Sequence, residues 1–109
     1  MNSISVKAED RLEGSSNFNV WKVRIRNILE EYDLDHFITN IVEEPITVVG
    51  RTNFKKNQAK AKHIIFDSLK DNIMPVVAPL KTAKECFDTL TNLYEKKAPG
   101  ERRVLKKKL

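Results

Sequence analysis

Apolar positions along the chain fall into three helical stripes separated by polar, turn-forming segments. In the stretch NFNVWKVRI and beyond, Trp21, Ile25, Ile28, Leu29 and Tyr32 recur at i, i+4, i+7, i+8 and i+11. That is the period of one face of an α-helix, while Lys22, Arg26 and Glu30 fall on another face. The pattern predicts a helix over residues 18–32, entered through EGSSN, where Gly14 permits the turn and Ser15, Ser16 and Asn17 are capping types. Phe18 lies one turn before Ile25, close to the same face. Trp21 is in phase with four further apolar residues, which assigns it to the core and not to an exposed stacking platform.

The second stripe is Ala61, Ile64, Ile65, Ser68 and Leu69, in a helix that Thr52 or Asn53 would cap and Asn72 would end. Lys56, Lys60, His63 and Lys70 point away from it. The third stripe is Ala83, Cys86, Phe87, Leu90, Leu93 and Tyr94, behind Thr82 and Glu85, which are spaced as a capping box. Lys96 and Lys97 follow at the end where the helix dipole favours cations, and APG stops the pattern. Between stripes, Leu34, Phe37 and Ile38 support a short helical turn. IVEEPITVVG reads as an extended loop ending at Gly50. IMPVVAPL reads as an apolar connection in which Pro75 and Pro79 prevent a regular helix throughout. The expected fold is therefore all-α, a compact bundle of about five helices with proline-containing loops. Its expected core is Phe18, Trp21, Ile25, Ile28, Leu29, Tyr32, Ala61, Ile65, Leu69, Cys86, Phe87, Leu90 and Tyr94.

Composition narrows this picture. A chain of 109 residues is one domain at most. One cysteine excludes an intramolecular disulfide and a cysteine-rich zinc site. The N-terminus has no apolar signal region, and no apolar run approaches the roughly 20 residues that span a bilayer. A cytoplasmic protein with no membrane contact is the expectation.

Charge changes the picture more than composition does. The net charge is +5, but residues 96–109 carry seven cations and one anion, so residues 1–95 sum to −1. The basic character belongs to the tail, where Arg102, Arg103, Lys106, Lys107 and Lys108 are candidates for phosphate contact, or simply a solvated helix face. Leu105 and Leu109, four apart, begin another amphipathic pattern that nine residues are too few to stabilise alone. The domain reading is a flexible lead-in at 1–13, a lobe at 14–100, and at 101–109 the start of a basic helix continuing into a missing downstream domain.

No catalytic constellation is visible. His36 and His63 have no metal-ligating neighbour at helical spacing, and Cys86 lies inside an apolar stripe, where a free cysteine packs as a small hydrophobe. Gly14, Gly50 and Gly100 stand singly at turns and form no phosphate-cradling loop. Glu30, Glu31, Asp33 and Asp35 read as an acidic surface patch. No cofactor, no metal and no enzymatic activity are expected.

The order of these signals resembles the N-terminal Gag region of copia-type LTR retrotransposons. One motif is Gly14, Phe18, Trp21 and Lys22; the other is Thr82, Ala83, Lys84, Glu85, Phe87, Leu90, Tyr94 and Glu95. Phe87 stands where many members carry tryptophan, and the single cysteine excludes the zinc knuckle that often follows. The resemblance, over about residues 11–109, implies a capsid-like N-terminal lobe without enzymatic activity. Such a lobe would self-associate, with itself and a downstream Gag domain as partners, into a shell around the element's RNA. A dimer swapped through 101–109 is one form this would take. The alternatives are a helical nucleic-acid-binding module using the basic tail, and a host adaptor derived from a captured Gag, with IMPVVAPL lining an apolar groove.

Overall fold

The computed structural model describes residues 6–95, which contain five α-helices. They are α1 (Phe18–Glu31), α2 (His36–Thr39), α3 (Val48–Asp67), α4 (Met74–Val77) and α5 (Ala83–Tyr94). α5 packs against α2, α3 and α4, and α1 packs against α3. The core they enclose includes Phe18, Trp21, Ile25, Leu29, Ala61, Ile64, Ile65, Leu69, Cys86, Phe87 and Leu90, all buried. Ile28, Tyr32 and Tyr94 are only partly buried at its edge. Leu93 keeps the phase of its stripe but is 55% exposed at the last turn of α5.

Trp21 is the hub of this core. Its ring lies 5.5 Å from that of Phe18 and stacks at 6.0 Å on Phe87, joining α1 to α5. Its indole Nε1–H donates to the Ser68 hydroxyl at 2.9 Å, and that hydroxyl donates to the Ile65 carbonyl at 2.6 Å. Ser68 is itself fully buried, so both polar groups find partners away from water. No buried side-chain nitrogen or oxygen among the described residues lacks a partner.

The end of α3 is set by the same region. The stripe predicts a helix to Asn72, but α3 stops at Asp67 because its next backbone groups are used elsewhere. Leu12 N–H donates to the Ser68 carbonyl at 2.8 Å and Lys70 N–H donates to the Leu12 carbonyl at 3.0 Å, a short parallel bridge. Residues 6–13, expected as part of a flexible lead-in, therefore lie packed on the bundle, with Val6 and Leu12 buried. Lys70 also reaches Glu13 at 3.1 Å, and this hydrogen bond holds the Glu13 carboxyl below its usual range.

Three local expectations are corrected. Asn17 sits at the start of α1 but caps nothing with its side chain. Its amide instead pins the preceding turn, accepting from Glu13 N–H at 3.1 Å and donating to the Arg11 carbonyl at 2.8 Å. α3 starts at Val48, a turn before Thr52 or Asn53, because Thr47 Oγ1 accepts from Gly50 N–H at 3.0 Å. In IMPVVAPL a one-turn helix forms despite the prolines, since Pro75 occupies the first turn, where no amide hydrogen is needed. Ile73 and Val77 in this segment are buried and Val76 and Leu80 pack against the core, so it closes the bundle.

α1 ends in a Schellman turn. Asp33 N–H donates to the Glu30 carbonyl at 2.9 Å and Leu34 N–H to the Leu29 carbonyl at 2.7 Å, with Leu29 and Leu34 both buried. Asp33 takes φ 59°, the left-handed conformation that glycine adopts without steric cost. Asp33→Gly is therefore expected to stabilise the fold by about 0.5–1 kcal/mol, raising Tm by a few degrees in a thermal melt. A lowered Tm would mean that the Asp33 carboxylate contributes more than its backbone conformation costs.

Candidate functional site

The sequence positions that carry reactive groups are placed in ordinary surroundings. Cys86 is fully buried, its Sγ 3.9 Å from the Val77 carbonyl, and burial pushes its thiol up to about 11. A protonated, enclosed thiol is not a nucleophile. His36 and His63 are both exposed, and the His36 ring lies against Phe37 at 4.5 Å. The left-handed turn at Asp33 brings Asp33, Asp35 and His36 within 4.8 Å of one another, a grouping that helical spacing does not reveal. The first two are carboxylates at the C-terminal end of α1, exposed or half-exposed, and other acidic residues of the patch, Glu30 and Glu31, are also exposed.

Thr82 and Glu85 serve the backbone. Thr82 Oγ1 accepts from Glu85 N–H at 3.1 Å, and Glu85 Oε1 accepts from Lys81 N–H at 3.0 Å and Thr82 N–H at 3.3 Å. Gln58 of α3 adds the next bond, its Oε1 accepting from Ala83 N–H at 2.7 Å. The first amides of α5 are thus occupied by side chains and are not open to an anion.

What the bundle leaves uncovered is apolar. Ile41, Ile46, Val48 and Val49 are 84%, 86%, 79% and 72% exposed, all within the loop after α2 and the first turn of α3. Isolated exposed apolar residues are normal, whereas four large ones within nine positions mark an interaction surface. The loop that carries them is held in one shape. Arg51 Nε donates to the Pro45 carbonyl at 3.2 Å, and Thr47 caps α3. A methyl group on Gly50 would meet Thr47 Oγ1 at 2.6 Å and the Pro45 ring at 2.8 Å, so only glycine lets the loop fold onto the helix there. Beside it lies a groove of about 700 Å³, floored by Phe37, Val42 and Phe54 and rimmed by Ile41, Gln58 and Thr82. The Phe37 and Phe54 rings that form its floor are 5.8 Å apart.

Sequence reasoning assigned no role to this surface. The signal was present in IVEEPITVVG, a run of β-branched residues with neither helical phase nor a partner strand. The tail residues Arg102, Arg103, Lys106, Lys107 and Lys108 lie outside the described residues.

These features define a small helical module whose polar groups hold its own backbone and whose outward chemistry is a fixed apolar surface. The chain belongs to the copia-type Gag family: the sequence model of the gag-polypeptide of LTR copia-type matches residues 25–109. That family is a structural polypeptide and not an enzyme. The match takes in the Thr82–Glu95 motif, while Gly14, Phe18, Trp21 and Lys22 lie before it. No solved structure matches the chain. Among the described residues, no helix is long and apolar enough to cross a membrane.

The placement of Cys86 has a measurable consequence. With its thiol near 11, against 9 for an open cysteine, its thiolate fraction at pH 8 is about 100-fold reduced. Labelling by a thiol-disulfide reagent at pH 8 is expected to be at least that much slower in the native chain than in denaturant. Equal rates would place Cys86 at the surface.

Proposed function

We propose that this chain is the self-association module of a Gag protein, a capsid-like N-terminal lobe that contributes to a cytoplasmic shell around retrotransposon RNA. The observation that supports this reading above the others is the exposed apolar set Ile41, Ile46, Val48 and Val49 on a loop of fixed shape. A binding surface held rigid before contact loses little conformational entropy on association. Copies of one chain that repeat such a surface bury it against one another, and homo-oligomers of this kind are the commonest soluble assemblies. The family supplies the structural role; the surface supplies the means. A downstream Gag domain is a further partner for the same lobe, and the basic tail is the part of the chain suited to RNA phosphates.

The adaptor alternative loses its motivation, since the IMPVVAPL segment packs inward at Ile73 and Val77.

Light scattering across a wide concentration range tests the proposal. The mass is expected to rise from 12.6 kDa towards a dimer or larger species. The double variant Ile46→Asp, Val48→Asp is expected to remain monomeric while melting within about 0.5 kcal/mol of the parent, because both side chains are at the surface. A parent chain that stays monomeric throughout, or a variant that associates as the parent does, would contradict it.

A further inference from the structure

A second uncovered surface lies on the opposite side of α1 from the core. Val20 and Val23 are 59% and 60% exposed there. With Asn19, Asn27, Ile28 and Glu31 they line a shallow groove of about 570 Å³ along the helix. One end of that groove is apolar. The other runs into the carboxylates of Glu30, Glu31 and Asp33, all exposed, and the last turn of α1 contains no basic residue to offset them. Carboxylates at a helix C-terminus face the negative end of the dipole, so this end of α1 favours cations brought from elsewhere.

The described chain finishes beside the same helix. Glu95, just past α5, is tied to Lys22 of α1 by a 2.7 Å ion pair. The five residues 96–100 span up to about 17 Å when extended, enough to pass from the flank of α1 at Lys22 to its outer face. The nine residues 101–109 are about 13 Å long as a helix, and Val23 to Glu31 covers about 12 Å. The composition of that segment matches the groove in order. Val104 and Leu105 come first, and Lys106, Lys107 and Lys108 follow, so a chain running parallel to α1 sets its apolar residues against Val20 and Val23 and its lysines by Glu30 and Glu31. Leu109, four residues after Leu105, stays on the same side of such a helix.

We infer that residues 101–109 dock along the outer face of α1 within the same chain, apolar residues on Val20 and Val23 and lysines on the carboxylates at the end of the helix. Docked in this way, the tail covers an apolar stripe and has its lysines engaged by protein carboxylates, so that phosphates must compete for them. This surface is separate from the one that carries Ile41 and Ile46, and the docking stands whether or not the chain associates.

Cysteine crosslinking in the full 109-residue chain tests the docking. Val23→Cys combined with Leu105→Cys is compared with Lys56→Cys combined with Leu105→Cys, Lys56 being an exposed position on α3. Cys86 is buried and serves in both variants as an unreactive background. Under mild oxidation at micromolar protein, the first pair is expected to close an intramolecular disulfide at least ten times faster than the second. Adding Glu30→Lys and Glu31→Lys is expected to remove most of that advantage. Equal rates for the two pairs would overturn the docking. A product formed only between chains would overturn it as well, and would give the tail to a second copy. Insensitivity to the charge reversal would show that the carboxylates do not guide the segment.

Discussion

The hydrogen bond from the Trp21 indole to Ser68, at 2.9 Å and fully buried, is the constraint on which the arrangement of the lobe depends. A tryptophan buried in a small core needs a partner for its N–H, or it costs about 1–3 kcal/mol. Ser68 supplies the acceptor only if α3 ends where it does, with its hydroxyl turned back to Ile65. Ending α3 there frees the Ser68 carbonyl and the Lys70 N–H to pair with Leu12, which brings the segment before α1 onto the bundle. The same indole stacks on Phe87 and so fixes α5. One side chain thus sets the relative places of the lead-in, α1, the end of α3 and α5.

This logic explains what was legible in the sequence. The three stripes are long and in phase, so helix type and inward faces could be read at Trp21, Ile65 and Leu90 without knowledge of partners. The Thr82–Glu85 spacing was readable for the same reason, since a capping box is a local hydrogen-bond pattern. Ends that depend on distant residues were not readable. Ser68 appears in its stripe as a polar interruption, and only the fold shows that Trp21 lies opposite it. Thr47 was overlooked as the cap of α3 because Gly50 and Pro45 read as loop residues. Their close packing, which needs glycine at position 50, is a tertiary fact. The uncovered surface at Ile41, Ile46, Val48 and Val49 was present in the sequence but had no period by which to recognise it.

For a Gag lobe, the division between core and surface carries the functional meaning. Polar side chains that look available for chemistry are spent on structure: Thr82, Glu85 and Gln58 on the start of α5, Asn17 on the turn before α1, Ser68 on the indole. Cys86 is closed in. What faces outward is a rigid apolar loop on one side and, on another, an apolar stripe of α1 that leads to carboxylates. A structural polypeptide needs shape and contact surfaces more than reactive groups, and this distribution provides them with a core of modest size.

The central claim is that Trp21 and Ser68 act as a pair. A double-mutant cycle of Trp21→Phe and Ser68→Ala, read by chemical denaturation, measures their interaction directly. Each single substitution should destabilise the lobe, and the double variant should lose less than the sum, leaving a coupling of about 1 kcal/mol or more. Losses that add to within about 0.3 kcal/mol would show that the two residues are only neighbours, and that something else sets the end of α3.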